Sequence, residues 1–326
     1  MKRVALIYGS VFLKHDTGGH SENKRRVSET YRYLKSRPVF SKLTELAPRQ
    51  AKPEEILLVH AKAYFDALTS FPKDEVAYLD PDTIFGPGSL EAALGAAGSV
   101  TLSVDKIKAG EIDSAFCLLR PPGHHARPAR AMGFCIFNNI AIGAAYATRV
   151  RGYDRVAIVD FDVHHGNGTQ EIFCEDARVL YASVHQWPFY PGSGTPNEKG
   201  EGAGKGRTVN VPLLARSGER EYMKALEETI LPAVRDHKPS IIFISAGFDA
   251  HEADPIGGMC LETSSFGRMT RAIGEVASEV CGGHIVSALE GGYNLPALAA
   301  SVGAHLEALV DQGKSGRARA NPAKGA

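Results

Sequence analysis

Val159-Asp160-Phe161-Asp162-Val163-His164-His165-Gly166-Asn167-Gly168 is the stretch on which the reading of this chain turns. An apolar run ends at Val159 in two acids and two histidines, and glycines follow at once. Burying a polar group without a partner costs about 2–7 kcal/mol even when it is neutral. A bound cation removes that cost for a cluster of acids. On an extended strand Asp160, Asp162 and His164 alternate and so point the same way. Carboxylate oxygens beside an imidazole nitrogen suit a divalent metal such as zinc. The plainer alternative is a strand end whose polar residues are solvated.

Two further segments repeat the pattern. Arg120-Pro121-Pro122-Gly123-His124-His125-Ala126 follows the apolar run Ala115 to Leu119. Ser245-Ala246-Gly247-Phe248-Asp249-Ala250-His251 follows Ile241 to Ile244. In open α/β sheets ligands bind at the carboxyl ends of the strands. Three such ends carrying His or Asp point to one site.

The remaining pattern alternates. Strand-like runs are Val4–Tyr8, Ala115–Leu119, Val156–Asp160, Val179–Val184, Ile241–Ser245 and Ile285–Leu289. Helical spacing is predicted over Pro53–Leu68, Ser89–Val104, Asn139–Arg149, Glu219–Arg235, Ser264–Val280 and Leu295–Leu309, with Ser89 expected as a cap. Nearly continuous apolar strands between helices predict an α/β fold, a mostly parallel sheet covered on both faces. The basic, small-residue stretch 312–326 reads as a disordered tail after a domain over 1–311.

Composition excludes more than it identifies. Lys plus Arg equals Asp plus Glu, 37 each, so no global field draws nucleic acid. No apolar stretch reaches the ~20 residues of a membrane-spanning helix. Met1–Tyr8 reads as a first strand and not as a signal peptide. The five scattered cysteines form no Cys-x-x-Cys, which favours reduced thiols and a cytoplasmic setting.

The motif segments resemble the zinc-dependent histone deacetylase superfamily, which includes acetylpolyamine amidohydrolases and bacterial deacetylase-like amidohydrolases. The resemblance runs from His15-Asp16-Thr17-Gly18-Gly19-His20 to Glu290-Gly291-Gly292-Tyr293. The form Asp-x-Asp-x-His-His-Gly-Asn-Gly-Thr-Gln resembles the class II branch, since class I members usually carry Asp where Asn167 stands.

The resemblance implies a single-domain, arginase-like α/β fold and one catalytic Zn2+ held by Asp162, His164 and Asp249. It implies His124 paired to Asp160, and His125 paired to Asn167 as the general base. A carboxylate partner raises an imidazole pKa more than a neutral amide does, so His124 is expected to protonate more readily than His125. Tyr293 would donate its hydroxyl to the developing oxyanion. Gly133, Phe134, Tyr190 and Ile256 would line an acyl-lysine tunnel. Structural K+ would use Asp160, Asp162, His164, Ser183 and Val184. His165 and His185 would brace the site by hydrogen bonds, and His20 would stand at its rim.

The implied activity is removal of acetyl or other short acyl groups from lysine-like amines, on an acyl-lysine protein or peptide. An acetylated polyamine or other small amine is the alternative substrate, disfavoured because Ile256 offers no partner to a second ammonium. A non-catalytic acyl-lysine reader is the second alternative, disfavoured by Tyr293 and the intact histidine pair. No nucleic acid or membrane partner is implied, and a homo-oligomer is left open.

Overall fold

Runs such as Val-Ala-Ile-Val and Ile-Phe-Ile carry β-branched or aromatic side chains on both faces, and only a strand covered on both sides buries them all. In the computed structural model, which describes residues 2–315, these runs build one eight-stranded sheet. The elements begin with β1 (Val4–Ile7), α1 (Arg25–Lys35), β2 (Leu43–Leu46), α2 (Pro53–Ile56) and α3 (Lys62–Thr69). A small ladder, β3 (Ala77–Tyr78) with β4 (Ile84–Phe85), precedes α4 (Ser89–Lys108), β5 (Ser114–Cys117) and α5 (Asn139–Arg149). Then come β6 (Val156–Asp160), α6 (Asn167–Phe173), β7 (Val179–Gln186), β8 (Thr208–Leu213), α7 (Glu219–Ala225) and α8 (Leu231–His237). The chain continues through β9 (Ile242–Ala246), α9 (Thr263–Cys281), β10 (Ile285–Leu289) and α10 (Leu295–Ser315).

The sheet order is β2-β1-β5-β10-β9-β6-β7-β8, and every pairing in it is parallel. The central strands are buried along their whole length. Helices α4 and α5 pack together, and α10 packs on α1 and α9. All strand ends that carry motif residues therefore leave the sheet at one edge.

Several local expectations are corrected. The predicted helix over 53–68 breaks after Ile56 and resumes at Lys62. Between them Ala61 donates to Pro128 O, and His60 Nε2 accepts the Asn138 N–H, so the chain turns aside to dock on the loops beyond β5. Ser89 does not cap α4. Gly88 holds the cap position, and the Ser89 hydroxyl accepts from the Gly86 N–H and pairs with His15. The helical run 219–237 contains a π-helical turn, Leu226–Ile230, just before Pro232. Proline lacks the N–H an α turn needs, and a widened turn relieves its ring.

The edge strands β2 and β8 and the helices α1 and α6 were not expected. α10 runs on to Ser315, so 312–315 is helical, and the rest of the predicted tail lies outside the described residues. Among the described residues no helix is long and apolar enough to cross a membrane. All five cysteines are free thiols.

Candidate active site

Strands β5, β10, β9 and β6 are neighbours in that order. Their carboxyl ends deliver residues 120–125, 290–293, 247–254 and 160–167 to one place. Asp162 and His164 come from the last of these, but not by strand alternation. β6 stops at Asp160, and the chain then coils. The Asp160 carboxylate accepts the Asp162 N–H at 3.2 Å, and Asp162 accepts the His164 N–H at 2.9 Å. Side chains of Asp that accept from the backbone two residues on make tight turns. The turns aim Asp162 and His164 at Asp249, whereas Asp160 points to His124 Nδ1 (3.1 Å) and the Tyr181 hydroxyl (3.2 Å).

Asp162, His164 and Asp249 are buried, with one ligand atom of each within 4.8 Å of the others. His164 Nδ1 lies 3.0 Å from Asp162 Oδ1 and 3.2 Å from Asp249 Oδ2. One imidazole N–H cannot serve both, and Asp249 Oδ2 has no hydrogen-bond partner. The other oxygens are held by backbone: Asp249 Oδ1 accepts from Val163 at 3.0 Å, and Asp162 Oδ2 from Gly291 at 2.8 Å. A methyl group at Gly247 or Gly291 would collide with the Asp162 or Asp249 carboxylate. The Phe189 ring stacks on His164 with centroids 5.2 Å apart.

Electrostatics mark the group as short of positive charge. Burial and the Asp162 charge push the Asp249 pKa up to about 7. Burial opposes the charge on His164, yet the two carboxylates hold its pKa up at about 9. Two buried carboxylates, one imidazole and an orphaned oxygen fit a divalent cation with three protein ligands.

The adjacent histidines lie beside this group with ring centroids 4.0 Å apart. His125 Nδ1 pairs with Asn167 Oδ1 at 2.7 Å. Glu290 at the end of β10 accepts the Gly123 and His124 N–H groups at 2.6 and 3.1 Å, which fixes the loop after Pro-Pro. The two imidazoles are driven apart. Burial works against charge on His124, but Asp162 and Asp160 outweigh it and raise its pKa to about 10. Burial and the nearby His124 and His164 push His125 well below the usual range.

A cavity of about 250 Å³ opens above these groups. Gly133, Phe134, Tyr190 and Ile256 line it together with His125, His164 and Tyr293. Gly133 (φ 57°) and Phe134 (φ 68°) are both left-handed, and a methyl group at Gly133 would strike the His125 ring. Tyr190 stands edge-on to His125 at 5.1 Å, and Phe134 edge-on to Tyr293 at 5.9 Å. His20 packs on Phe134 at 4.6 Å.

Ser183 is the cross-strand partner of Asp160, and its hydroxyl pairs with His185; Val184 follows it in β7. His165 bonds Ser193 and Gln170, and His185 bonds Gly194 O.

Sequence reasoning missed several neighbours. Arg120 is wholly buried and grips Glu22 through two 2.6 Å contacts. Arg26, also buried, reaches Glu22, the Gly292 carbonyl and the face of the Tyr293 ring, 4.9 Å from its centroid. Charges next to Pro-Pro-Gly and Gly-Gly-Tyr at buried strand ends were a usable signal for Arg120 and Glu290. Glu22 and Arg26 sit in a charged loop and helix start that look solvated. Phe189 and Asp82 also line the cavity.

The comparisons with known proteins agree with this geometry. The histone deacetylase domain matches residues 20–309. A probable deacetylase of Archaeoglobus fulgidus is 39% identical over 93% of this chain and 88% of its own length. A histone deacetylase-like amidohydrolase of Pseudomonas aeruginosa is 41% identical over 85% of this chain and 73% of its own. The crystal structure of the HDA15 HD domain superposes with a TM-score of 0.90 at 36% identity, covering 94% of this chain and 89% of that one. The arginase-like fold expected from the sequence is thereby borne out.

Proposed function

The chain belongs to the histone deacetylase family, and from that premise we propose that it is a zinc-dependent amidohydrolase removing acetyl or other short acyl groups from lysine-like amines. One observation carries the reading: a buried Asp-His-Asp group with an orphaned carboxylate oxygen lies under an apolar cavity, beside two histidines and a phenol. Asp162, His164 and Asp249 would hold the zinc. Bound there, it supplies a Lewis-acidic charge that polarises an amide carbonyl and acidifies water.

The remaining work falls to the side chains. His125, kept neutral by burial, takes a proton from water on Nε2 while Nδ1 stays bonded to Asn167. It returns a proton to the departing amine. His124, charged against Asp160, adds a fixed positive charge beside the reacting carbonyl. The Tyr293 hydroxyl donates to the carbonyl oxygen as it gains negative charge. Phe134, Tyr190 and Ile256 enclose the aliphatic stem of the acylated side chain.

We propose K+ as a second, structural ion at Asp160, Asp162, His164, Ser183 and Val184. The wholly buried Asp160 carboxylate supports it. Five free thiols support a reducing, cytoplasmic setting.

Asp82 favours a second reading. It lines the cavity, and burial together with the neighbouring Asp80 pushes its pKa up to about 6, a local excess of negative charge that the free ammonium of an acetylated polyamine would relieve. The deciding experiment compares acyl-lysine peptides with acetylspermidine, with and without chelator. Turnover of acetyl-lysine peptide that chelator abolishes and zinc restores is the expected result. Preference for acetylspermidine transfers the assignment to the second reading. Chelator-resistant turnover, or none of either substrate with zinc present, rejects both.

A further inference from the structure

We propose that Met132 is a positioning residue: its thioether fixes which end of the Asn167 amide faces His125. The inference rests on the reading of His125 as the general base. Asn167 Nδ2 lies 3.3 Å from Met132 Sδ, while Asn167 Oδ1 lies 2.7 Å from His125 Nδ1. A primary amide has nearly the same shape when rotated by half a turn, so shape alone does not choose its orientation. A thioether has lone pairs and no hydrogen to give. The amide must therefore turn its N–H toward sulfur, because the reverse sets two acceptors against each other. The Arg130 guanidinium also points a donor at this sulfur, at 4.0 Å.

The consequence falls on His125. With Oδ1 facing it, the ring must carry its proton on Nδ1, which leaves the Nε2 lone pair free for water. A flipped amide would present Nδ2, hold the proton on Nε2 and disable the base. A carboxylate in place of Asn167 has no wrong orientation, so the neutral amide needs a device that the acid does not. The backbone supplies that device with a fixed position. Met132 and Cys135 exchange backbone hydrogen bonds of 3.2 and 3.0 Å across a turn whose two central residues, Gly133 and Phe134, are both left-handed. One turn thus places Phe134 in the cavity wall and the Met132 sulfur on Asn167.

The test is a two-by-two comparison of Met132→Leu and Asn167→Asp on the zinc-loaded chain, with tautomers read in parallel. Leucine keeps the volume of methionine and removes the acceptor. Met132→Leu should lower kcat/KM roughly fivefold with Asn at 167, the size of one weak hydrogen bond, and less than about twofold with Asp there. Equal losses in both backgrounds mean a packing role only and overturn the proposal. Nitrogen NMR of the histidine-labelled chain gives a readout that needs no substrate. His125, assigned through its loss in His125→Ala, should be the Nδ1–H tautomer in the wild type and a mixture in Met132→Leu. An unchanged single tautomer overturns the proposal. A tautomer change in a chain that hydrolyses no amide would instead remove the deacetylase reading and leave the Met132 assignment standing.

Discussion

Tyr293 lines the cavity with its backbone and ring held from three sides. Burial of the group as a whole pushes the phenol pKa well above its usual range. The group stays protonated and able to donate. Its backbone N–H is fixed to Asp254 Oδ2 at 2.7 Å, the Arg26 guanidinium covers one ring face, and Phe134 meets the ring edge-on. A donor held in place before reaction costs no reorganisation when the oxyanion forms. Tyr293→Phe should therefore lower kcat about 10²–10³-fold on an acetyl-lysine peptide, with zinc content by elemental analysis unchanged. A loss under about tenfold would assign the oxyanion to another donor. The tyrosine itself was legible, because Gly-Gly-Tyr closes an apolar run. The arginine behind it was not, since Arg26 lies 267 residues earlier in a stretch that looks solvated.

The loop before α1 and the helix itself are joined to the sheet by charge. Glu22 is enclosed by Arg120 at the end of β5 and by Arg26 in α1. Burial alone would raise its pKa, but the two guanidiniums outweigh it and bring it from 4.5 down to about 2. A carboxylate with a depressed folded pKa stabilises fully above its unfolded value. That stability, about 3 kcal/mol by linkage, is lost as pH falls from about 4.5 toward about 2. Glu22→Gln leaves two guanidiniums buried without a counter-charge and should cost about 3–5 kcal/mol at neutral pH. Urea midpoints measured from pH 6 to pH 2 should fall in the wild type and fall less steeply in Glu22→Gln. Parallel curves would show that the carboxylate is not the acid-labile group.

The same elements show why some segments escaped sequence reading. α1 buries Arg26, Val27, Thr30 and Leu34, a narrow stripe that includes a charge. β8 carries Pro212 and alternates only weakly, as an edge strand can, because one side needs no partner. The inner strands, apolar on both faces, were legible almost to the residue.

At the scale of the molecule, function follows from strand order. β5, β10, β9 and β6 are separated in the sequence by helices and loops, and only parallel crossovers bring their carboxyl ends to a single edge. Each end alone is a polar loop. Together they supply the histidine pair, the phenol, one acid, and an acid with an imidazole. Convergence was legible because all of the runs end in ionisable residues. The reason Asp162 and His164 meet was not: the strand stops at Asp160, and two aspartate turns, not alternation, bring them face to face. The claim that depends on all of this is one ion at one place. An anomalous difference map at the zinc edge, from crystals of the zinc-loaded chain, tests it directly. A single strong peak is expected about 2.0–2.2 Å from His164 Nδ1 and from an oxygen of each of Asp162 and Asp249. A map with no peak among those three side chains, or with zinc bound elsewhere, would contradict it.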